Sequence, residues 1–258
     1  MSQLPVRMIP RLDVKNNTVV KGIHLEGLRV VGNPVELAVK YYQEGADEIL
    51  YMDAVASLYE RNSLLPIVKD TAKSVFIPMT VGGGVRTLDD IRNLLNAGAD
   101  KVAINTAAIK RPEFIREASH KYGSQCIVLS IEAKKLGSKW EAYMDTGREA
   151  TGVDVLEWAE KAVSLGAGEI LITSIDHEGM KKGFDIDLIQ EISKRVEVPL
   201  IACGGAGNSQ HVIEAIQSGH ADAVACASLF HYNLEHLSDV KNKLHQAEIP
   251  VRLLGRAA

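Results

Sequence analysis

The sequence predicts an α/β fold, a (β/α)8 barrel (TIM barrel) in one domain, and three observations carry that expectation. Short apolar runs recur eight times, at residues 7–12, 49–52, 76–81, 102–104, 127–131, 170–173, 199–203 and 223–225. Each run is followed by a polar loop and an amphipathic stretch, the rhythm of strand then helix. Laid over the first at a shift of about 120 residues, the second half matches it in order, as expected of a doubled unit. The domain is expected to span residues 1–258, with half-barrels of approximately 1–122 and 123–258.

Taken in chain order, Leu12-Asp13-Val14-Lys15 closes the first run and faces Ile131-Glu132-Ala133-Lys134 in the fifth. Asn33-Pro34-Val35-Glu36 then offers an N-cap, a proline at the first helical position and a capping-box glutamate. Gly45-Ala46-Asp47-Glu48-Ile49-Leu50 leads into the second run and faces Gly166-Ala167-Gly168-Glu169-Ile170-Leu171 at the sixth. Ile77-Pro78, followed by Gly82-Gly83-Gly84, faces Val198-Pro199, followed by Cys203-Gly204-Gly205. Thr87-Leu88-Asp89-Asp90 is a weaker capping signal. Ala99-Asp100 before Ala103-Ile104-Asn105-Thr106 faces Ala221-Asp222 before Ala225-Cys226-Ala227-Ser228. Strands joined by helices run parallel. An open doubly wound sheet shares the alternation, but not a two-fold repeat of four units with equivalent glycines at both ends.

Composition excludes several function classes. With 29 Lys and Arg against 33 Asp and Glu, the net charge of −4 argues against a general nucleic-acid binder or a protein of anionic membranes. The 46% hydrophobic and 24% charged content suits a large folded core and not a disordered chain. No apolar run reaches the roughly 18 residues of a membrane span, and Met1-Ser2-Gln3-Leu4-Pro5-Val6-Arg7 lacks a secretory apolar core, so a cytoplasmic location is expected. Cys126, Cys203 and Cys226 show no C-x-x-C spacing and lie inside apolar runs, reading as small buried hydrophobes. The eight histidines are scattered, so no metal or redox cofactor is expected.

In such barrels chemistry sits at the C-terminal ends of the strands. Gly82-Gly83-Gly84 and Gly204-Gly205-Ala206-Gly207 each follow a strand and precede a helix, where bare amides can converge on a phosphate. Thr106 and Ser228 end the strands that follow them. Two such sites related by the barrel's two-fold lie on opposite sides of the mouth, so the expected ligand is long and carries a phosphate at each end. Asp13 and Glu132 project between them and can divide acid and base duties if their surroundings separate their pKa values. Asp53 and Asp176 are left between holding loops and holding ligand hydroxyls. The long loops at residues 15–33 and 134–152 read either as lids or as plain surface loops, and Lys21 in the first is a candidate for an anionic part of the ligand. At the opposite face, Arg7, Glu48, Lys101 and Glu169 begin strands one, two, four and six, with Asp100 on the rim. Spacing leaves them open between solvated salt bridges and a charged ring closing the barrel axis.

With these residues in view, the chain resembles a known family. Arg7-Met8-Ile9-Pro10-Arg11-Leu12-Asp13-Val14-Lys15, Val19-Val20-Lys21-Gly22, Thr80-Val81-Gly82-Gly83-Gly84, Ala99-Asp100-Lys101-Val102, Ile104-Asn105-Thr106-Ala107, Thr173-Ser174-Ile175-Asp176 and Gly204-Gly205-Ala206-Gly207 are similar to the cyclase subunits of imidazole glycerol phosphate synthases, enzymes of histidine biosynthesis. Phe230-His231 and Val251-Arg252-Leu253 extend the resemblance over almost the whole chain. It implies a carbon–nitrogen lyase and a separate glutaminase partner in a heterodimer, whose ammonia travels through the barrel to a linear bisphosphate. The products are imidazole glycerol phosphate and an aminoimidazole carboxamide ribotide. It further implies Asp13 and Glu132 as the acid/base pair, and Lys21, Gly83, Gly84, Asn105, Thr106, Thr173, Gly204, Gly205 and Ser228 on the substrate. Arg7, Glu48, Lys101 and Glu169 become the ammonia gate, with Asp100 at the glutaminase interface.

Departures cluster in the mouth. Glu132 and Glu178 stand where the family has aspartates, Met180 replaces a threonine, and His24-Leu25-Glu26-Gly27 and Val30-Val31-Gly32-Asn33 depart from the usual first-loop pattern. Two alternatives therefore stand beside the cyclase. One is a paralogue passing ammonia to another acceptor, such as a surface-polysaccharide sugar that gains an amidino group. The other is a catalytically silent phosphate-binding barrel.

Overall fold

The computed structural model describes residues 4–54 and 64–254, so the outermost residues of both half-barrels, 1–3 and 255–258, lie outside the described residues. Strands β1 (Arg7–Lys15), β4 (Ile49–Asp53), β5 (Met79–Gly82), β6 (Lys101–Ile104), β7 (Ile127–Leu136), β10 (Glu169–Ser174), β11 (Leu200–Cys203) and β12 (Ala223–Cys226) pair in parallel. Pairing of β10 with β7 closes them into an eight-stranded barrel. The connecting helices are α1 (Pro34–Gln43), α2 (Leu65–Thr71), α3 (Leu88–Ala97), α4 (Thr106–Lys110), α5 (Glu113–Tyr122), α6 (Val155–Ser164), α7 (Ile186–Ser193), α8 (Ser209–Gln217), α9 (Ser228–His231) and α10 (Leu237–Gln246). Among the described residues, no helix is long and apolar enough to cross a membrane.

Alternation along each strand separates two interiors. On β1, Met8, Leu12 and Val14 face outward into the layer shared with the helices. Ile9, the residue between, faces the barrel axis with Leu50, Ala103, Val128, Leu171, Ile201, Ala223 and Ala225. Both faces of a strand are thereby buried, which is why the runs read as continuously apolar.

The expected strand order holds, with two boundaries moved by proline. The third and seventh strands begin at Met79 and Leu200, after Pro78 and Pro199, which have no N–H for the ladder. Their carbonyls still accept from Ile49 N (2.9 Å) and Ile170 N (3.0 Å). Phe76, placed in a strand by its apolar neighbours, is 74% exposed and meets the Tyr42 ring edge-on. Cys126 is half-buried in a short turn before β7 instead of lying in a strand, a correction to the buried reading, whereas Cys203 and Cys226 are buried.

The two long loops are also corrected. β1 and β7 run on past the barrel and fold back as antiparallel meanders, with β2 (Thr18–Ile23) and β3 (Glu26–Gly32) on one and β8 (Lys139–Met144) and β9 (Glu149–Asp154) on the other. Pairing satisfies backbone groups that an open loop of this length would leave to water.

Capping reverses the expected ranking. At α1 the Asn33 side chain accepts from Val35 N (2.9 Å) and Glu36 N (3.2 Å), with Pro34 in the first turn; among the described contacts Glu36 makes no reciprocal bond to the cap. At α3 the box is complete: Asp90 N donates to Thr87 Oγ1 (3.1 Å) and Thr87 N to Asp90 Oδ2 (2.9 Å). Thr87→Ala should therefore cost about 1 kcal/mol in urea denaturation, while Glu36→Ala should stay within about 0.5 kcal/mol of wild type.

Candidate active site

The barrel axis is stratified from one end to the other. At its N-terminal end Glu48 and Glu169 each bridge the same two cations. Arg7 Nη1 lies 2.8 Å from Glu48 Oε2, and Arg7 Nη2 bonds to Glu169. Lys101 Nζ completes the circuit at 2.8 Å from Glu48 and 2.6 Å from Glu169. Thr80 Oγ1 donates to the other oxygen of Glu48. Both acids are buried, so this is a closed ring and not a set of separate solvated pairs. Burial alone would lower the Arg7 pKa; Glu169 and Glu48 outweigh it and raise it.

Asp100 stands outside the ring on the exposed rim, where its Oδ2 accepts from Met79 N at 2.8 Å. Asp47 and Asp222 brace Met8 N (2.8 Å) and Leu200 N (2.9 Å) in the same way. Above the ring comes the apolar layer of Ile9, Leu50, Val128, Leu171 and Ile201, and above that the mouth.

In the mouth, Asp13 and Glu132 end the inward-facing positions of β1 and β7, both buried at 6% exposure. Their surroundings differ. Asp13 Oδ1 accepts from Arg11 Nε at 2.9 Å, and its Oδ2 lies 3.9 Å from Lys21 Nζ. Burial would raise the Asp13 pKa, but Arg11 and then Lys21 hold it below the ordinary carboxylate value. Glu132 Oε2 accepts from Asn105 Nδ2 (2.9 Å) and Gly147 N (2.8 Å), and among the described residues no cation is in hydrogen-bond contact with it. Burial therefore dominates and pushes Glu132 up to about 7 against the more distant Arg11 and the Gly147 N–H. The two carboxylates are thus pushed to opposite sides of the ordinary value, Asp13 below it and Glu132 above it.

The residue that sequence reasoning missed is Arg11. Its guanidinium is buried on the axis, with Nη1 donating to Thr173 Oγ1 (3.0 Å) and to Cys203 Sγ (3.4 Å). Thr173 is thus fully buried against Arg11, and Cys203 is a polar partner as well as a buried hydrophobe. Period-two alternation from Arg7 through Ile9 to Asp13 puts Arg11 inside, and that was the available signal. Its main chain is anchored too: His231 Nε2 donates to Arg11 O (3.0 Å), so Nδ1 accepts from Tyr41 Oη (2.7 Å). Burial drives His231 down to about 4, which keeps the ring neutral.

The glycine cradles are unequal. The first opens on a cavity of about 420 Å³ lined by Asp53, Gly83, Gly84, Asn105, Thr106 and Glu132, among others. Gly83 has φ +96°, and a Cβ there would lie 2.7 Å from Asp53 O, so no side chain fits. Asp145, at the turn between β8 and β9, places its N–H 3.2 Å from Thr106 Oγ1. Asn105 Oδ1 is buried and makes no hydrogen bond among the described residues. The second cradle, at Gly204, Gly205 and Ser228, holds only about 10 Å³. Lys21 is buried there in an ion pair with Glu178, with burial lowering its pKa and Asp13 opposing the shift. Asp176 braces the overhanging end of β7, its Oδ2 accepting from Lys135 N at 2.8 Å.

Two measurements follow. Because folding raises the Glu132 pKa from 4.5 to about 7, its contribution to stability is complete below pH 4.5 and is lost as the pH rises through 7. Glu132→Gln should remove that loss, so the variant's urea stability relative to wild type should climb between pH 4.5 and 7.5. Arg11→Met should destabilise the fold by about 3–5 kcal/mol by stranding buried Asp13, and the double variant Arg11→Met/Asp13→Leu should recover most of that in the same assay.

The closed barrel agrees with one comparison. A family model described as "Histidine biosynthesis protein" matches residues 7–235, nearly the whole chain. Members of that family are enzymes of histidine biosynthesis, and this chain belongs to it.

Proposed function

We propose that the chain is an ammonia-dependent carbon–nitrogen lyase of the cyclase type. A separate glutaminase subunit releases ammonia at the N-terminal face, the ammonia crosses the barrel along its axis, and it reacts with a phosphorylated acceptor in the mouth. In the cyclase reaction the acceptor is the linear phosphoribulosyl-formimino aminoimidazole carboxamide ribotide. The products are imidazole glycerol phosphate and aminoimidazole carboxamide ribotide.

The observation that carries this reading is the order of environments along the axis: a closed charged ring, an apolar layer, then two unlike carboxylates. An apolar layer passes neutral ammonia and opposes ammonium, because an unpaired ion costs far more to bury than a neutral molecule. In this reading Arg7, Glu48, Lys101 and Glu169 are the gate and Asp100 belongs to the glutaminase interface. Ionised Asp13 takes a proton from the reacting nitrogen, and Glu132, protonated below a pKa of about 7, gives one to the leaving group. Gly83, Gly84, Asn105 and Thr106 hold one phosphate end; Lys21, Thr173, Gly204, Gly205 and Ser228 serve the other.

A second reading keeps the ammonia supply and changes the acceptor. One observation favours it: the Lys21–Glu178 pair fills the second cradle, where the cyclase substrate has its other phosphate.

The test is to give the purified protein the linear bisphosphate and a high concentration of ammonium salt at mildly alkaline pH, and to follow loss of the substrate's ultraviolet absorbance. Turnover is expected, and Asp13→Asn should abolish it while leaving binding nearly intact. Saturable binding without turnover would move the assignment to the second reading. Glu132→Asp should lower the rate by about a hundredfold if the mouth is built around the longer side chain, since catalytic geometry tolerates ~1 Å of error poorly.

A further inference from the structure

Arg11 forms part of the floor of the mouth. Two residues beyond Ile9 on β1, it occupies the inward layer directly above the apolar one. Its guanidinium reaches across the axis to Thr173 on β10 and Cys203 on β11. The fork of N–H donors is only partly used. Nε donates to Asp13 and Nη1 to Thr173 and Cys203, whereas Nη2 makes no hydrogen bond among the described residues. The fully buried side-chain atoms left without a partner among those residues are Asn105 Oδ1, Trp158 Nε1 and Ser174 Oγ, so Nη2 keeps contact with open space. That space is the cavity of about 420 Å³, which Arg11 lines together with Asp13 and Glu132. The other cations lining it, Arg86, Lys110 and Arg111, are exposed, while Arg11 is only 3% exposed.

We propose that Arg11 is a catalytic residue of the ammonia step, its Nη2 donating to the carbonyl oxygen of the acceptor at the carbon that ammonia attacks. As the nitrogen lone pair forms the new C–N bond, the carbonyl π pair moves onto oxygen. The guanidinium stabilises that oxyanion, and Asp13 takes a proton from the nitrogen, which has become cationic; Glu132 keeps its own proton for the leaving group. An arginine suits the position because it holds its charge at any working pH and so does not compete with Asp13 for the proton. A donor fixed in a poorly solvated site before the charge develops is worth far more than the same donor in water. Three contacts fix this one: Asp13 at 2.9 Å, Thr173 at 3.0 Å and Cys203 at 3.4 Å. The acceptor of the cyclase reading offers the matching group, the ketone of its ribulosyl unit, on a carbon chain that ends in phosphate. The proposal deepens the ammonia reading and rests on it for the bond-forming step, whereas oxyanion binding at Arg11 does not require ammonia.

Arg11→Lys keeps a positive charge beside Asp13 and gives up the fork. In ammonium-dependent turnover of the linear bisphosphate its kcat should fall by about a hundredfold, with KM within about threefold of wild type, and the loss should persist from about pH 6 to 9. A fall of less than about tenfold, or one that recovers at the alkaline end, overturns the proposal, because Arg11 would then act only by keeping Asp13 ionised. Calorimetric titration of the full chain needs no ammonia. The probes are 2-carboxyarabinitol 1,5-bisphosphate, whose carboxylate sets an oxyanion on the carbon chain, and arabinitol 1,5-bisphosphate, which lacks it. Wild type should prefer the carboxylated probe by about tenfold or more, and Arg11→Lys should bring the two within about threefold. No wild-type preference, no saturable binding of the carboxylated probe, or an unchanged ratio in the variant overturns the proposal. Should Arg11→Lys fail to fold, Arg11→Met/Asp13→Leu takes its place in the titration. Failure of the ammonia reading appears instead as absent turnover by wild type, with the carboxylate preference intact.

Discussion

The buried contact between Arg11 and Asp13 is the interaction on which the mouth depends. A guanidinium on the barrel axis is tolerable only with a carboxylate beside it, and Asp13, 2.9 Å away, supplies that partner. The same contact keeps Asp13 ionised in a place where burial would otherwise protonate it. Glu132, whose pKa is dominated by burial, goes the other way, up to about 7. The separation between the two acids thus follows from their neighbours: Arg11, its carbonyl bonded by neutral His231, and Lys21 flank Asp13, whereas burial dominates at Glu132.

Charge elsewhere in the barrel follows the same economy. At the N-terminal end each of two acids pairs with both of two cations, so the four charges compensate one another behind the apolar layer. In the mouth, Arg11, Asp13, Lys21 and Glu178 form an alternating chain of opposite charges running from the axis to the second cradle. The two groups are separated by hydrocarbon from Ile9, Leu50, Val128, Leu171 and Ile201. That separation lets one end of the barrel close while the other carries a cavity of about 420 Å³.

The meanders give the mouth its asymmetry. Both grow from strands that outrun the barrel, β1 and β7, and each lays its turn over one cradle. The turn of β2 and β3 brings Lys21 and His24 onto Glu178 and its neighbours and closes the second cradle. The turn of β8 and β9 brings Asp145 to Thr106 and Gly147 to Glu132, and leaves room beside them. Equivalent segments of a repeated chain thereby yield unlike sites, because a single ion pair fills one of them.

Much of this was legible in the linear chain. Eight apolar runs with intervening amphipathic stretches gave the barrel, the strand-end positions of Asp13, Glu132 and the glycines gave the mouth, and strand-start positions gave the four charges of the ring. These are local facts: period, spacing and place along a strand. The chain could not show that Lys21 pairs with Glu178, that Arg11 reaches Thr173 across 162 residues, or that the long loops are paired strands. Those outcomes depend on which side chains meet across the closed barrel and on how far each is removed from water. The sequence by itself determined the architecture and the set of polar groups delivered to each end, because backbone alternation acts locally. Tertiary structure alone decided which of those groups neutralise one another and which cradle stays open, because Coulomb energy and desolvation are properties of neighbours in space.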